Sequence, residues 1–407
     1  MTKYLKAVPV LVVTAYMSMT SNVNAASFVQ CPGDVNGDAV VDLPTTPGGK
    51  STENIRCMHL TAGDGFVKMA DDSSRLQYMF GFADVTGTPQ EQAIDAGILA
   101  ANFPAPTIVL EQGEEFYLTL TNVGMIMRPD LADPHTVHFH GFPNASDYFD
   151  GVPDATISIN MGASLTYYYN IVEPGTYMYH CHVEATEHMQ MGMLGNLYVK
   201  PAQNKLPDGT DLNGFPHATG NQYVYNDGDG STSYDVEYPI QIGSFDPDFH
   251  DASMNVQPLP FADMKDTFGM LNGRGYPDTV NPNTLTPPEE NGGKDSQGVS
   301  ALITANAGEK ILLRISNLNV TNYYTLASNN LNMKVIGIGA RLLRGPDGKD
   351  LYYDTNSITL GGGESTDVII DTTDVAPGTY FLYTSNLNFL SNNTEDYGGM
   401  MTEIVIN

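Results

Sequence analysis

The chain has 407 residues and a formal net charge of −29, with 47 acidic side chains against 18 basic ones. Such a surface repels nucleic acid and anionic membranes, which excludes polyanion binding, and the length is enough for two ordinary domains with full cores. Three cysteines and no tryptophan leave the aromatic packing to 23 tyrosines and 16 phenylalanines.

Residues 1–25 read as a secretory signal. Lys3 and Lys6 precede an apolar core, and Val-Asn-Ala stands before a cut after Ala25. The apolar run is shorter than the ~20 residues needed to span a bilayer, so the expected location is secreted or periplasmic. Residues 26–75 form a Gly- and Asp-rich N-terminal extension. Within it, Asp34, Asn36, Asp38 and Asp42 have the oxygen-donor spacing of a calcium loop, although Thr45 stands where a bidentate glutamate belongs. Cys31 and Cys57 are expected to pair in an oxidising compartment, leaving Cys181 as the free thiol.

Residues 76–200 contain short runs such as FYLTLTN, SLTYYYNIV and MLGNLYVKP, rich in Val, Ile, Tyr and Thr and broken by Gly, Pro and Asn. That is the signature of an all-β sandwich. Residues 201–235 read as a loop-rich linker ending in NDGDGSTS, with a solvated run from Asp227 to Asp229. Residues 236–407 repeat the strand pattern, and GEKILLRISNLN and PGTYFLYTS echo GEEFYLTLTNVG and PGTYMYHCH of the first half. The second copy has Tyr-Thr-Ser where the first has His-Cys-His, and residues 251–407 contain no histidine or cysteine. The expected fold is therefore all-β, two tandem sandwiches with few helices, and the second without metal ligands.

The chemistry is concentrated in two phrases. In TYMYHCHVEATEHMQMGM, Cys181 stands between His180 and His182, and His188 and Met193 follow. In HTVHFHG, His135, His138 and His140 crowd together. Thiolate, imidazole and thioether are the soft ligands of a mononuclear blue-copper site. Residues two apart on a strand share a face, roughly 6.5 Å apart along it. If both phrases are strands, Cys181 points away from His180 and His182, and His135 away from His138 and His140. The expectation is two sites back to back. His135, Cys181, His188 and Met193 would form one; His138, His140, His180 and His182 would line the other. His59, His217 and His250 read as ordinary imidazoles, and Met189 and Met191 as packing beside the site.

These residues resemble the multicopper oxidase family, and more distantly the copper nitrite reductases and ceruloplasmin. FPAPTIVLEQGEEFYLTLTN, HFHGF, FDGVPD and EPGTYMYHCH match phrases of that family, as does NGRGYPDT in the second half. The resemblance covers roughly residues 76–407, with the sharp motifs in 135–193. It implies tandem cupredoxin-like Greek-key domains, a type 1 copper at His135, Cys181, His188 and Met193, and half of an eight-histidine type 2/type 3 cluster at His138, His140, His180 and His182. It also implies that Asp150 helps to deliver protons. Three departures stand out. The spacing from Cys181 to His188 is two residues longer than is usual in the family. Nitrite reductases have aspartate where this chain has His138 and nothing matching His182, which ranks nitrite below dioxygen as acceptor. The second half offers no histidines to complete the cluster.

Three functions follow: an exported copper oxidase, a blue-copper electron carrier, or a copper-binding surface protein. The first leads, with a small molecule or electron-transfer protein as donor. To fill the cluster it needs a homo-oligomer in which two first domains meet about a two-fold axis and pool their histidines.

Overall fold

The computed structural model describes residues 27–70, 75–143, 145–393, 396 and 398–407. The leader read at residues 1–25 lies outside them. The chain folds into two β-sandwiches with three short α-helices, Ala93–Gly97, Ala185–Gln190 and Pro247–Met254, among the described residues. None of these is long and apolar enough to cross a membrane.

The first sandwich stacks two four-stranded sheets. One has the order Leu76–Asp84, Ile55–Lys68, Glu115–Gly124, Ser164–Asn170; the other has Ala105–Glu111, Leu194–Lys200, Gly175–His180, His138–His140. Alternating side chains put Leu60, Phe80, Leu118, Phe139, Tyr167 and Tyr179 into one core between them. The first domain thus begins earlier than residue 76. Ile55–Lys68 is an inner strand of its sheet, pairing antiparallel with Leu76–Asp84 and parallel with Glu115–Gly124. Its Ala-Gly-Asp-Gly stretch hides the strand pattern, because Asp64 is buried there and accepts N–H groups of Ile126 and Met127 and the Tyr78 hydroxyl. Residues 27–54 remain an extension strapped to this sheet. Phe28 N–H donates to Ser164 Oγ and Gln30 N–H to Thr166 Oγ1, and the Cys31–Cys57 disulfide fastens it.

Under this strap lies His59, with no exposed surface and Nε2 at 2.8 Å from Thr121 Oγ1. Burial pushes its imidazole from 6.5 down to about 4. The unfolded chain therefore binds a proton at this position over a range where the folded chain does not, and stability falls as pH drops through it. Relative to His59→Gln, the wild type is expected to lose about 3 kcal/mol between these two pH values, read from urea midpoints. Parallel pH profiles would refute this.

The linker does not float. Val224, Tyr225 and Tyr234 pack against Leu312, Ile336 and Ile369 of the second domain. Asp227, expected in a solvated run, is buried and accepts from Gln203 Nε2, Gly230 N–H and Thr232. The second sandwich has one sheet ordered Phe268–Leu271, Val236–Phe245, Lys310–Asn317, Glu364–Asp371, Met333–Ile338, Arg341–Leu342. Its other sheet is ordered Ile303–Ala305, Met401–Ile406, Gly378–Thr384, Tyr324–Ala327, Ser357–Leu360. Between them lies a second core of Ile240, Leu313, Ile315, Val335, Val368 and Leu382.

The two sandwiches meet through apolar and polar contacts. Phe103, Met178 and Leu194 of the first pack with Phe245, Met270 and Leu318 of the second. Ser316 Oγ donates to Asn196 Oδ1 at 2.5 Å, and Ser365 Oγ to the Thr176 carbonyl at 2.7 Å. The paired strands Lys310–Asn317 and Glu364–Asp371 therefore lie against Gly175–His180, the strand that leads into Cys181. Their register pairs Asn317 with Glu364. The loops leaving this end, residues 318–323 and 361–363, are thereby set beside the end of the histidine strand.

Candidate metal centre

The strand pairing sets His138 opposite His180 and His140 opposite Met178. Among the described residues two groups of ligand atoms converge within 4.8 Å: His135, Cys181 and His188; and His138, His140 and His180. The strands are shorter than the sequence suggested: Gly175–His180 ends before Cys181 and His182, and His138–His140 begins after His135, so loop backbone at the strand ends orients those three side chains. The acidic loop of Asp34, Asn36, Asp38 and Asp42 is not among these clusters. Asp34 accepts the backbone N–H groups of Asn36, Gly37 and Ala39.

In the first group all three residues are fully buried. His188 Nδ1 lies 3.2 Å and His135 Nδ1 3.8 Å from Cys181 Sγ. Both Nε2 atoms lack a hydrogen-bond partner, with an Asp133 oxygen 3.9 Å from that of His188. Met193, also fully buried, is tied in through its backbone: its N–H donates to the His188 carbonyl and its carbonyl accepts from Cys181 N–H. The stretch from Cys181 to His188 runs into the helix Ala185–Gln190, which carries His188. The helix starts after Glu184 in the left-handed region (φ 45°), and the Glu184 carbonyl accepts from His188 N–H. Met191 is buried among the core residues, in keeping with a packing role, and Met189 packs against the interdomain apolar cluster.

Electrostatics distinguish the two imidazoles. Burial opposes charge on His188, yet the Cys181 thiolate and Asp133 lift it to about 10. Burial, together with His188, holds His135 well below 6.5. A buried sulfur between two imidazoles, with Asp133 behind His188, makes this a place for a cation. Two imidazole nitrogens, a thiolate and a neighbouring thioether residue suit a soft redox metal, and copper fits them.

In the second group two rings are anchored through Nδ1. His138 Nδ1–H donates to the Asp150 carbonyl at 2.6 Å, and His180 Nδ1–H to the Cys181 carbonyl at 2.8 Å. Those bonds orient the rings and leave Nε2 of each free, as carbonyl-anchored metal histidines are. His182 joins them, its ring centroid 5.1 Å from that of His138 and 5.6 Å from that of His180. Burial lowers His138 and His140 and takes His180 down to about 3, so these imidazoles are neutral donors at ordinary pH. Asp150 reaches His138 chiefly through its carbonyl, its carboxylate being 3.6 Å from Nδ1. Gly151 permits this turn: at φ 80° a Cβ would stand 2.2 Å from the Val137 carbonyl oxygen.

The histidines open on a cavity of about 520 Å³. Its far wall is the chain's own second domain, with Asn319, Thr321, Asn322, Tyr323, Gly362 and Gly363. None of these is a histidine, cysteine or carboxylate, and they escaped the sequence reading; the run of three glycines, residues 361–363, was the available signal of a close backbone approach. The remaining histidines are occupied elsewhere. His250 bonds the carbonyls of Tyr78 and Gln190, and His217 lies 3.2 Å from the Tyr223 hydroxyl.

Two family models described as multicopper oxidase match residues 84–204 and 248–405, more than half of the chain. Among relatives, multicopper oxidase MmcO of Mycobacterium tuberculosis is 35% identical over 105 residues, 24% of this chain and 19% of that protein. Laccase abr2 of Aspergillus fumigatus is 27% identical over 141 residues, 34% and 22%. Laccase-5 of Arabidopsis thaliana is 26% identical over 285 residues, 69% and 40%. The chain spans about a fifth of the length of the first two. Among solved structures, a blue copper oxidase from Nitrosomonas europaea superposes with TM-score 0.60 at 21% identity over 86% of each chain. A copper nitrite reductase from the same organism gives 0.55 at 17% identity, over 87% of this chain and 94% of that one. These likenesses establish the two-domain cupredoxin fold.

Proposed function

The chain belongs to the multicopper oxidase family, and on that footing we propose that it is an exported copper oxidase that takes electrons from an external donor at His135, Cys181, His188 and Met193 and reduces dioxygen at His138, His140, His180 and His182. Copper held in these two places supplies a one-electron redox couple at each. The observation that carries the reading is the junction at Cys181. Its side chain belongs to the first group, while its carbonyl accepts the Nδ1–H of His180 in the second. An electron thus has a path of covalent bonds and one hydrogen bond between the sites.

The protein's own groups do the rest. Full burial of Cys181 keeps water from the thiolate. The Asp150 carbonyl fixes the His138 ring, and its carboxylate, about a third exposed, can pass protons from solvent toward the cavity. The second reading, an electron carrier without oxidase activity, draws on the lack of imidazoles in the far wall of the cavity. Substitution separates the two. His138→Ala and His182→Ala are each expected to lower oxygen consumption by at least about a hundredfold while the visible thiolate band stays intact. Retained oxygen consumption in both would remove the second site from the reaction.

A further inference from the structure

We propose that His250 and Asp266 of the second domain are positioning residues of the thiolate site: together they hold Gln190, the last residue of the helix that carries His188, and so fix how firmly that site keeps its metal. The four candidate ligands there all belong to the first domain. The proposal rests on the reading of His188 as a copper ligand.

The helix needs support from outside itself. Ala185–Gln190 has six residues, and no side chain caps its start at Glu184. A helix that short is not stable alone, and its last carbonyls have no partner within it. Its C-terminal end lies where its surroundings hold it, and His188, two residues before that end, follows.

Those surroundings come from both domains. Met191 is buried in the first domain's core, and its carbonyl accepts from Phe80 N–H at 2.8 Å. Met189 packs against the apolar cluster between the domains. Gln190, between them, is buried and held from the second domain at two points. Its Nε2 donates to Asp266 Oδ1 at 3.2 Å, and its carbonyl oxygen lies 3.0 Å from His250 Nε2. The other nitrogen of that ring, Nδ1, lies 2.6 Å from the carbonyl oxygen of Tyr78. Tyr78 and Phe80 share the strand Leu76–Asp84, and the Phe80 ring meets that of His188 edge-on at 5.7 Å. One ring of the second domain thus spans two buried carbonyls of the first. One carbonyl is on the helix of His188, and the other is on the strand packed against it.

Both gripping residues are themselves fixed. His250 lies on the helix Pro247–Met254, which follows directly on the strand Val236–Phe245. Asp246 caps its start by accepting from the N–H groups of Asp248 and Phe249, and proline begins its first turn. Phe249 enters the first domain's core, and Arg128 Nη1 donates to the Ser253 carbonyl. The His250 ring lies 4.3 Å from that of Phe245. Asp266 is buried and also accepts from Ser244, Thr321 and Tyr324, so it keeps neutral donors if Gln190 is changed. None of these contacts runs through Arg314.

The test uses the full copper-loaded chain and follows decay of the thiolate band in excess EDTA, beside the EPR spectrum. His250→Leu removes both ring contacts. Gln190→Leu removes the amide to Asp266 and leaves the Gln190 carbonyl in place. Each is expected to speed loss of the band by about tenfold, the low end of what losing an outer hydrogen-bond partner costs a metal site, and to change the copper hyperfine splitting of the thiolate signal. Asp251→Asn, on the same helix but paired with Arg75, is expected to keep the wild-type rate and spectrum. If it loses the band as fast as His250→Leu does, docking of the whole helix matters and the grip on Gln190 does not. Should His250→Leu fail to fold, Gln190→Leu decides alone. Wild-type decay and splitting in the folded variants would overturn the proposal and leave His188 standing as a ligand. No thiolate band in the wild type would sink the ligand reading, and this proposal with it.

Discussion

Cys181→Ser is expected to abolish the intense visible band and to lower oxygen consumption by at least about a thousandfold, while copper at the histidine cavity remains detectable by EPR. The side chain is fully buried, with the Nδ1 atoms of His188 and His135 at 3.2 and 3.8 Å. A serine hydroxyl occupies nearly the same volume, so the fold persists, but it is a hard, protonated donor where a soft thiolate is wanted. The Cys181 carbonyl that anchors His180 is backbone and survives the substitution. The expected variant is therefore one that binds copper in the cavity and receives no electrons. Optical and EPR spectra with an oxygen electrode decide it. A surviving charge-transfer band would overturn the ligand assignment of Cys181, and an unchanged rate would overturn the electron path.

What could be read in the sequence depends on the range over which each feature is encoded. The grouping of the candidate residues was legible only in part: alternation holds for His138 and His140 on their strand, whereas Gly175–His180 ends before Cys181 and His182, and His135 precedes His138–His140. The strand Ile55–Lys68 was not legible, because Gly63, Asp64 and Gly65 have no apolar signature. Asp64 is buried only because Ile126 and Met127, distant in sequence, donate to it. The linker misled for the same reason, since Asp227 looks solvated until Gln203 and Thr232 are folded around it. The far wall of the cavity was least legible. Asn319, Thr321 and Gly363 carry no pattern of their own and acquire a role only when the strands bearing them dock on the strand of His180. The missing histidines of the second half were plain in the sequence. That the second domain nonetheless lines the same site was not.

That docking can be broken at one residue. Arg314 is fully buried on the strand Lys310–Asn317, with Nε 2.9 Å from Glu237 Oε2, Nη1 3.0 Å from Thr176 Oγ1 and 3.7 Å from Asp367 Oδ1, and its guanidinium 4.9 Å from the Tyr198 ring centroid. Thr176 and Tyr225 both donate to Asp367, each at 2.5 Å. Arg314 thus joins both second-domain strands to the strand that carries His180, and Asp367 extends the network to the linker through Tyr225. Burial raises the Asp367 carboxyl while Arg314 pulls it back, so Asp367 depends on its partner. Arg314→Ala leaves Asp367 buried without its cation, while Glu237, about a quarter exposed, keeps Lys200 at 2.7 Å; the expected cost is about 3–5 kcal/mol. The penalty is expected to shrink as pH falls and Asp367 takes up a proton, because a neutral buried carboxyl no longer needs the cation. Arg314→Met with Asp367→Leu should recover much of the loss, since the buried pair goes together and Glu237 retains Lys200. Urea unfolding of the three proteins across pH measures this. A cost below about 1 kcal/mol for Arg314→Ala would mean that the apolar contacts around Phe103, Met178 and Phe245 hold the domains without the ion network. In that case the thiolate band and the second copper signal should both be untouched. If the network does set the docking, the second signal weakens before the thiolate band does, because the cavity is walled by residues of both domains, whereas His135, Cys181, His188 and Met193 all come from the first.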